Sequence, residues 1–496
     1  MKNKIILILL STAAWSYLFY RQTPGINHAV FSVVLVLAFA LGNIQLLKNK
    51  TWLLAAVTCL GSGLLTAING GELNLLINVW CFLIMAFVSF QHRLSLITGC
   101  FFAGISSISS FLITPFSKLV NHAPQNTVDN TANERKLKWY HMLIPVFFIF
   151  IFFILYRESS SAFKNLTNFI DLSFISSEWF FFTFAGFIFL FGLFVPPAEF
   201  NFLLKETSFS NHEIPVHTWK TNGFLRTGLM LFISLDLLLA IVNVSDVVYL
   251  SCIDIKAMDM TYAELIHQGI GSLAFSLILA VGFILLWINQ ENGDARLTRM
   301  LKTAALTWIA LNLVLIGTNI YKNVLYINAY GLTHLRIGVY FFLLLAFATL
   351  VFCAVKIHQK KNNIFMYRRF GLTLFSLAVL FNCFNWDKII TRHNIDLYKH
   401  TNLAPDACFL LDLDPNCLPM IIGNWNILNP DDNAWLNREL DFRCMKFNHQ
   451  FEMKNWRSQT VNNYATHDAL KNYKPLTDYK YNENDYARQF RNPGEF

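Results

Sequence analysis

The sequence predicts an all-α fold: a polytopic transmembrane bundle of about 11–13 spans with a small, mostly helical C-terminal extramembrane domain. Three observations predict it. Of 496 residues, 55% are hydrophobic and only 14% charged, where a soluble domain has about a quarter charged. Long apolar runs recur through the first 385 residues and then stop. A β-barrel would instead show short segments of alternating polarity, which this chain lacks.

Met1-Lys2-Asn3-Lys4 followed by the run Ile5 to Tyr20 has the layout of a signal peptide, a cationic start and then an apolar stretch. No small-x-small cleavage site precedes Arg21, and further spans follow at once. The stretch is therefore read as a first membrane helix or half-helix. Pro24-Gly25 breaks the chain before a run over about 29–47. Further runs lie at roughly 51–69, 73–90, 94–115, 139–156, 174–195, 223–250, 262–288, 300–325, 336–357 and 367–384, each near the ~20 residues that a bilayer core requires. The polar linker 116–138, with its basic end Arg135-Lys136-Leu137-Lys138, separates N-terminal helices (1–115) from a main bundle (139–384). Residues 158–172 have the pattern of an interfacial helix, and 196–222, with Pro196-Pro197, that of an interhelical loop.

The tail, 385–496, holds 13 Lys+Arg and 15 Asp+Glu, so the net charge of +8 divides into −2 there and +10 in the membrane part. Cytoplasmic loops and anionic headgroups account for such an excess. No basic cluster lies on a soluble fold, so nucleic acid is not an expected partner. Helices over about 433–457 and 465–473 would make the tail a cap on the membrane domain. One disulfide among Cys408, Cys417 and Cys444 is allowed if the cap lies outside the cytosol, with three pairings open.

Loop charge gives a partial orientation. Segments 118–138, 205–226, 296–302 and 356–369 together carry 15 Lys+Arg and are assigned to the cytoplasm, which sends the cap outward. Lys2, Lys4, Lys48 and Lys50 fall on the wrong side in that scheme.

Polar residues inside the spans are the candidate site, because a carboxylate near mid-membrane costs about 2.5–3.5 kcal/mol and by default faces the bundle interior with a partner. The region 299–336 carries the longest polar line: Trp308, Asn312, Asn319, Asn323, Tyr326 and Tyr330 fall within about 40° of one line on a helix, with Lys322 and Arg336 nearby. Segment 223–250 adds Asp236 and Asn243 on one line, and Asp246 nearer the interface. Glu264 and His267 share a face three residues apart, where Glu264 also suits a helix's first turn. No second His or Cys joins them, so no metal site is expected. Every one of these groups also has a structural reading, as a cap or as polar glue between helices.

Tyr262-Ala263-Glu264, His267, Gly269, Leu273, Tyr326 and Tyr330-Gly331-Leu332-Thr333-His334-Leu335-Arg336 form a familiar set. So do Leu413-Asp414-Pro415-Asn416-Cys417-Leu418-Pro419 and Asn455-Trp456-Arg457-Ser458 in the tail. Together they resemble the domain-of-unknown-function 4153/4173 group of bacterial multi-pass membrane proteins, over roughly residues 20–470. The Tyr-Gly-Leu-Thr-x-Leu-Arg string is its most specific part, with His334 at the variable position. The resemblance implies a bacterial cytoplasmic (inner) membrane location, a helical bundle and an extracytoplasmic tail, and it brings no activity.

No Walker-type loop, His-Glu-x-x-His or Gly-x-Ser-x-Gly occurs, so an ATPase or soluble-type hydrolase is not expected, and no cofactor is implied. Three functions stay open. The first is binding or transport of a small molecule or ion through the polar centre formed by Asp236, Asn243, Asp246, Glu264, His267, Asn312, Asn319, Lys322, Tyr326, Tyr330 and Arg336. The second is a membrane scaffold or signalling component without catalysis. The third is an intramembrane enzyme on a lipid-linked substrate, using Asp236 or Glu264 with His267 as acid and base. The lipid bilayer is the expected partner, and oligomeric state is left open.

Overall fold

The computed structural model describes residues 2–90, 95–120, 176–195, 222–252, 278–279, 281–288, 294–401, 403 and 405–478. Among them there is no β-strand. Six helices are long and apolar enough to cross a membrane, and four shorter apolar helices accompany them. The protein is an integral membrane protein of the multi-pass helical type. The runs expected at 139–156 and the start of 262–288, the interfacial helix 158–172 and the loop 196–221 lie outside the described residues.

Helices α1 (Lys2–Phe19), α2 (Ile26–Gly42), α3 (Lys50–Asn69), α4 (Glu72–Phe90), α5 (Leu96–Val120) and α6 (Ser177–Phe194) come first. α3, α5 and α6 start where polar side chains take up orphan amides of the first turn. Asn49 accepts from Thr51 N at 3.0 Å, and Ser176 from Trp179 N at 3.1 Å. Their interior is one apolar cluster around Phe31, Trp52, Phe82 and Met85, all with under 2% exposure. The α2–α3 crossing is close: a Cβ on Gly63 would lie 2.2 Å from Ser32 Oγ, so only glycine fits. In packing terms the front unit runs to residue 194, because α6 lies against α1 and α5: Ser16 and Thr183 hydroxyls meet at 2.7 Å, and Ser106 Oγ donates to Gly192 O at 2.9 Å.

The second unit holds α7 (Asn222–Cys252), a helical stretch over 281–287, α8 (Ala295–Tyr330), α9 (His334–Gln359) and α10 (Asn363–Asn382). Its own apolar core centres on Phe232, Ile284, Ala305, Leu350 and Cys353. α7 and α8 run parallel: Phe232 meets Trp308 edge-on at 5.4 Å, and Asn243 reaches Leu311 O at 2.9 Å. α10 joins the two units through Thr98–Tyr367, at 3.1 Å, and through Phe375 in the front core.

Helix α11 (Trp386–His400), three short helices (Ala407–Leu411, Leu418–Ile422, Trp425–Leu428), α12 (Ala434–Met453) and α13 (Val461–Leu470) form the cap. Both long helices anticipated in the tail are present. The cap has a third apolar core that also takes in Ile327, Leu332 and Ile337 from the α8–α9 corner. It ties down the front unit as well. Ile26 N donates to Gln459 O at 2.9 Å, Asn462 Nδ2 to Asn69 Oδ1 at 3.0 Å, and Ser458 Oγ to Gln22 Oε1 at 2.7 Å.

One loop assignment is corrected by this packing. α5 starts beside Tyr367 and Gly371, near the end of α10 remote from the cap, and therefore runs toward the cap face. The described part of α5 ends at Val120 on that face, whereas charge counting grouped the segment beginning at 118 with 205–226, 296–302 and 356–369. A rise of 1.5 Å per residue over 25 residues carries α5 right across, and charge counting cannot see helix direction. The misfit of the N-terminal lysines disappears with the correction. Lys4, whose ammonium lies 5.9 Å from the Phe90 ring, and the α2–α3 turn with Lys48 and Lys50 share the face remote from the cap with Arg296, Arg299, Lys360 and Lys361.

Cys408, Cys417 and Cys444 are all free thiols, so the disulfide allowed by the sequence is not made. Burial pushes the Cys417 and Cys444 thiols up to about 12. At neutral pH both should resist a maleimide that labels exposed Cys408, and should react only after unfolding. Mass spectrometry of labelled peptides checks this, and early modification of Cys444 would contradict the packing of α12.

Candidate functional site

Of the polar groups named from sequence, Asp236, Asn243, Asp246 and Lys322 lie along the α7–α8 seam, and Tyr326, Tyr330 and Arg336 stand at its end under the cap. Asp236 is the fifteenth of 31 residues in α7, at mid-helix. It lies on the α7 face whose Phe232, Leu235 and Leu239 pack toward α8. Its Oδ1 is buried and has no hydrogen-bond partner. Two turns on, Asn243 is buried; its amide nitrogen is used by Leu311 O, and its Oδ1 is buried without a partner.

Asp246 follows on the same face. Lys322 Nζ lies 2.8 Å from its Oδ2, and the two side chains are only 17% and 20% exposed. Thr318 Oγ1 approaches the same oxygen at 3.4 Å. The sequence named both charged residues but not their pairing, which arises because α7 and α8 run parallel and bring 246 level with 322.

The stripe on α8 faces protein for most of its length, yet its amides do less than expected. Asn312 is buried and donates to Trp308 O at 2.8 Å; half-buried Asn319 donates to Leu315 O at 2.8 Å. Both return to their own helix one turn back, so these donors tie no helices together. Asn323 does cross over, donating to Arg336 O on α9 at 3.1 Å.

At the cap end stand Tyr326, Tyr330 and Arg336. Gly331, at φ +82°, ends α8 in a backbone conformation that L side chains rarely adopt, and a Cβ there would meet Asn394 Oδ1 at 2.8 Å. Asn394 of α11 clamps this turn from the cap, accepting from Leu332 N at 2.6 Å and donating to Leu332 O at 3.0 Å. Arg336 is buried, with its guanidinium 4.0 Å from the centre of the Tyr326 ring and 6.0 Å from that of Tyr330, and it donates to Gly331 O. Tyr330 itself is 48% exposed. Glu264 and His267 lie outside the described residues.

Sequence reasoning missed a second polar cluster, inside the front unit. His28 Nδ1 lies 3.0 Å from Asn78 Oδ1, and Asn78 Nδ2 donates to Ser62 Oγ at 3.0 Å and Ser32 Oγ at 3.2 Å. All four residues are buried. His28 and Ser32 share α2, one turn apart, with Ser62 on α3 and Asn78 on α4, and these polar residues inside apolar runs were the available signal. Their meeting, 50 residues apart in the chain, is tertiary. The network is satisfied internally and reads as a packing device between α2, α3 and α4. No group of three or more His, Cys, Asp or Glu able to hold a metal occurs among the described residues.

No curated protein and no solved structure matches the chain. A family model described as "Domain of unknown function (DUF4153)" matches residues 29–423, which span both membrane units and the first part of the cap. With most of its length covered by that match, the chain belongs to the DUF4153 family.

Proposed function

We propose that the protein binds a small solute or ion between α7 and α8 and carries it across the bilayer. The observation that supports this is Asp236: a mid-helix carboxylate with a buried, unpartnered oxygen, in line with Asn243 and followed toward the cap by the Asp246–Lys322 pair. A group that only fixed helix packing would be paired, because an unsatisfied buried acceptor costs about 1–3 kcal/mol and a charge more. Transport sites place such groups near the bilayer midplane and leave them ready for cargo. We place the protein in the cytoplasmic membrane of a bacterium with the cap outside. Support comes from the cations gathered on the face remote from the cap, which fits the positive-inside bias.

The test uses purified protein in vesicles of phosphatidylethanolamine and phosphatidylglycerol loaded with a pH-sensitive dye. An imposed proton or sodium gradient should collapse faster than in empty vesicles. Asp236→Asn should cut that flux by about tenfold or more, while leaving the unfolding temperature in detergent unchanged or raised, since it removes an unpaired buried charge. A scaffold gives the reverse pattern, no flux and a destabilised variant, and that result would overturn the proposal.

A further inference from the structure

Arg336 and the amino end of α9 form a site that the α7–α8 seam does not require. α9 is 26 residues long, and its N-cap Thr333 makes no side-chain capping hydrogen bond. The first-turn amides of such a helix carry partial positive charge, a natural seat for an anion. The Arg336 side chain folds back to this same end, donating to Gly331 O two residues before the cap position. Only 9% of the residue is exposed, and its Nε is buried with no acceptor.

Among the described residues no carboxylate lies within ion-pair distance of Arg336. Asp387 is engaged by His334, two residues before Arg336, at 2.6 Å, and Asp406, which shares the surroundings of Tyr398 with Arg336, accepts from Phe409 N at 2.9 Å. The Tyr326 ring, 4.0 Å away, offsets part of the cost of burying a guanidinium but supplies no counter-charge. Tyr398, on α11 of the cap, lies within electrostatic reach of the same cation. The surroundings thus combine a planar fork of donors, an uncapped helix end and phenolic rings, the combination that suits a two-oxygen anionic group.

We propose that this junction between membrane bundle and cap binds an oxyanion, a phosphate or carboxylate group, through Arg336 and the amino end of α9. The site is separate from the α7–α8 seam and rests on the transport reading only for its physiological use. A lipid headgroup or a free solute could present the group.

The experiment is equilibrium binding to the full chain in nanodiscs, with inorganic phosphate as the probe and chloride as the control. In phosphatidylcholine discs phosphate should bind saturably. Arg336→Gln should weaken it roughly tenfold or more, the loss of a charge-assisted contact. Arg457→Gln, at the exposed arginine stacked on Tyr17, should leave it unchanged. Binding that is weak in those discs, but strong and Arg336-dependent for phosphatidylglycerol added to them, supports the same site with a lipid as the source. Should Arg336→Gln fail to fold, Arg336→Lys decides: it keeps the charge without the fork and should bind several-fold more weakly. Wild-type affinity in either folded variant, or no saturable binding of either probe, overturns the site. Asp236→Asn should bind phosphate like wild type, so loss of flux with retained binding separates this proposal from the transport reading.

Discussion

Asp441→Ala should destabilise the cap by about 3–5 kcal/mol and release residues 473–477 from its surface. The Asp441 carboxylate, on α12, has no solvent exposure. It accepts from Tyr473 Oη at 2.7 Å, Leu476 N at 2.9 Å, Thr477 N at 2.8 Å and Thr477 Oγ1 at 2.6 Å. Four donors converge on two oxygens, and the chain after α13 is pinned by them. Truncation removes the one carboxylate that all four share, so the charge-assisted bonds holding this half-exposed segment are lost together. Asp441→Asn should cost less, since one oxygen survives, but its new NH2 faces donors. Hydrogen exchange at Leu476 and Thr477, with a denaturant melt of the full chain, measures both effects. Unchanged protection at these two amides in Asp441→Ala would show that the segment is held by something else.

Lys322→Met should destabilise the second membrane unit by about 3 kcal/mol, the low end for a broken buried pair because both side chains keep some exposure. The loss comes from Asp246, left with only the long Thr318 contact in an apolar seam. Removing both charges, as Asp246→Leu with Lys322→Met, should recover most of the stability, giving a coupling energy of about 2 kcal/mol in a double-mutant cycle. Strict additivity of the two single changes, in thermal unfolding followed by tryptophan fluorescence, would mean that the ions are separately solvated and that the seam is wet.

Much of the architecture was legible because burial in a bilayer leaves a one-dimensional trace. Apolar runs such as 51–69 and 73–90 became α3 and α4 almost residue for residue. Amide and hydroxyl caps sit at helix starts where the chain offers them, Asn49, Ser176 and Asn362 among them. The site was legible only as a set of members. Asp246 and Lys322 were both named, yet their pairing was not, since pairing depends on which helices run parallel. Asn312 and Asn319 showed the opposite failure: correct spacing suggested shared work, but each amide bonds to its own helix. Asn394 gave no sign at all, because a single polar residue on a polar cap helix looks like surface until the α8–α9 turn is laid against it.

Sequence alone determined that the chain lives in a membrane and where apolar helices such as 51–69 and 73–90 fall. These follow from transfer free energies summed over about 20 residues, which no long-range contact can reverse. Tertiary structure alone decided the direction of α5, the partner of Asp246, the His28–Asn78 network and the placing of Arg336 at the foot of the cap. Each of these turns on one or two side chains meeting across 13 to 269 residues of chain. Their energies are small beside those of the spans, and only packing settles which of many such meetings occurs.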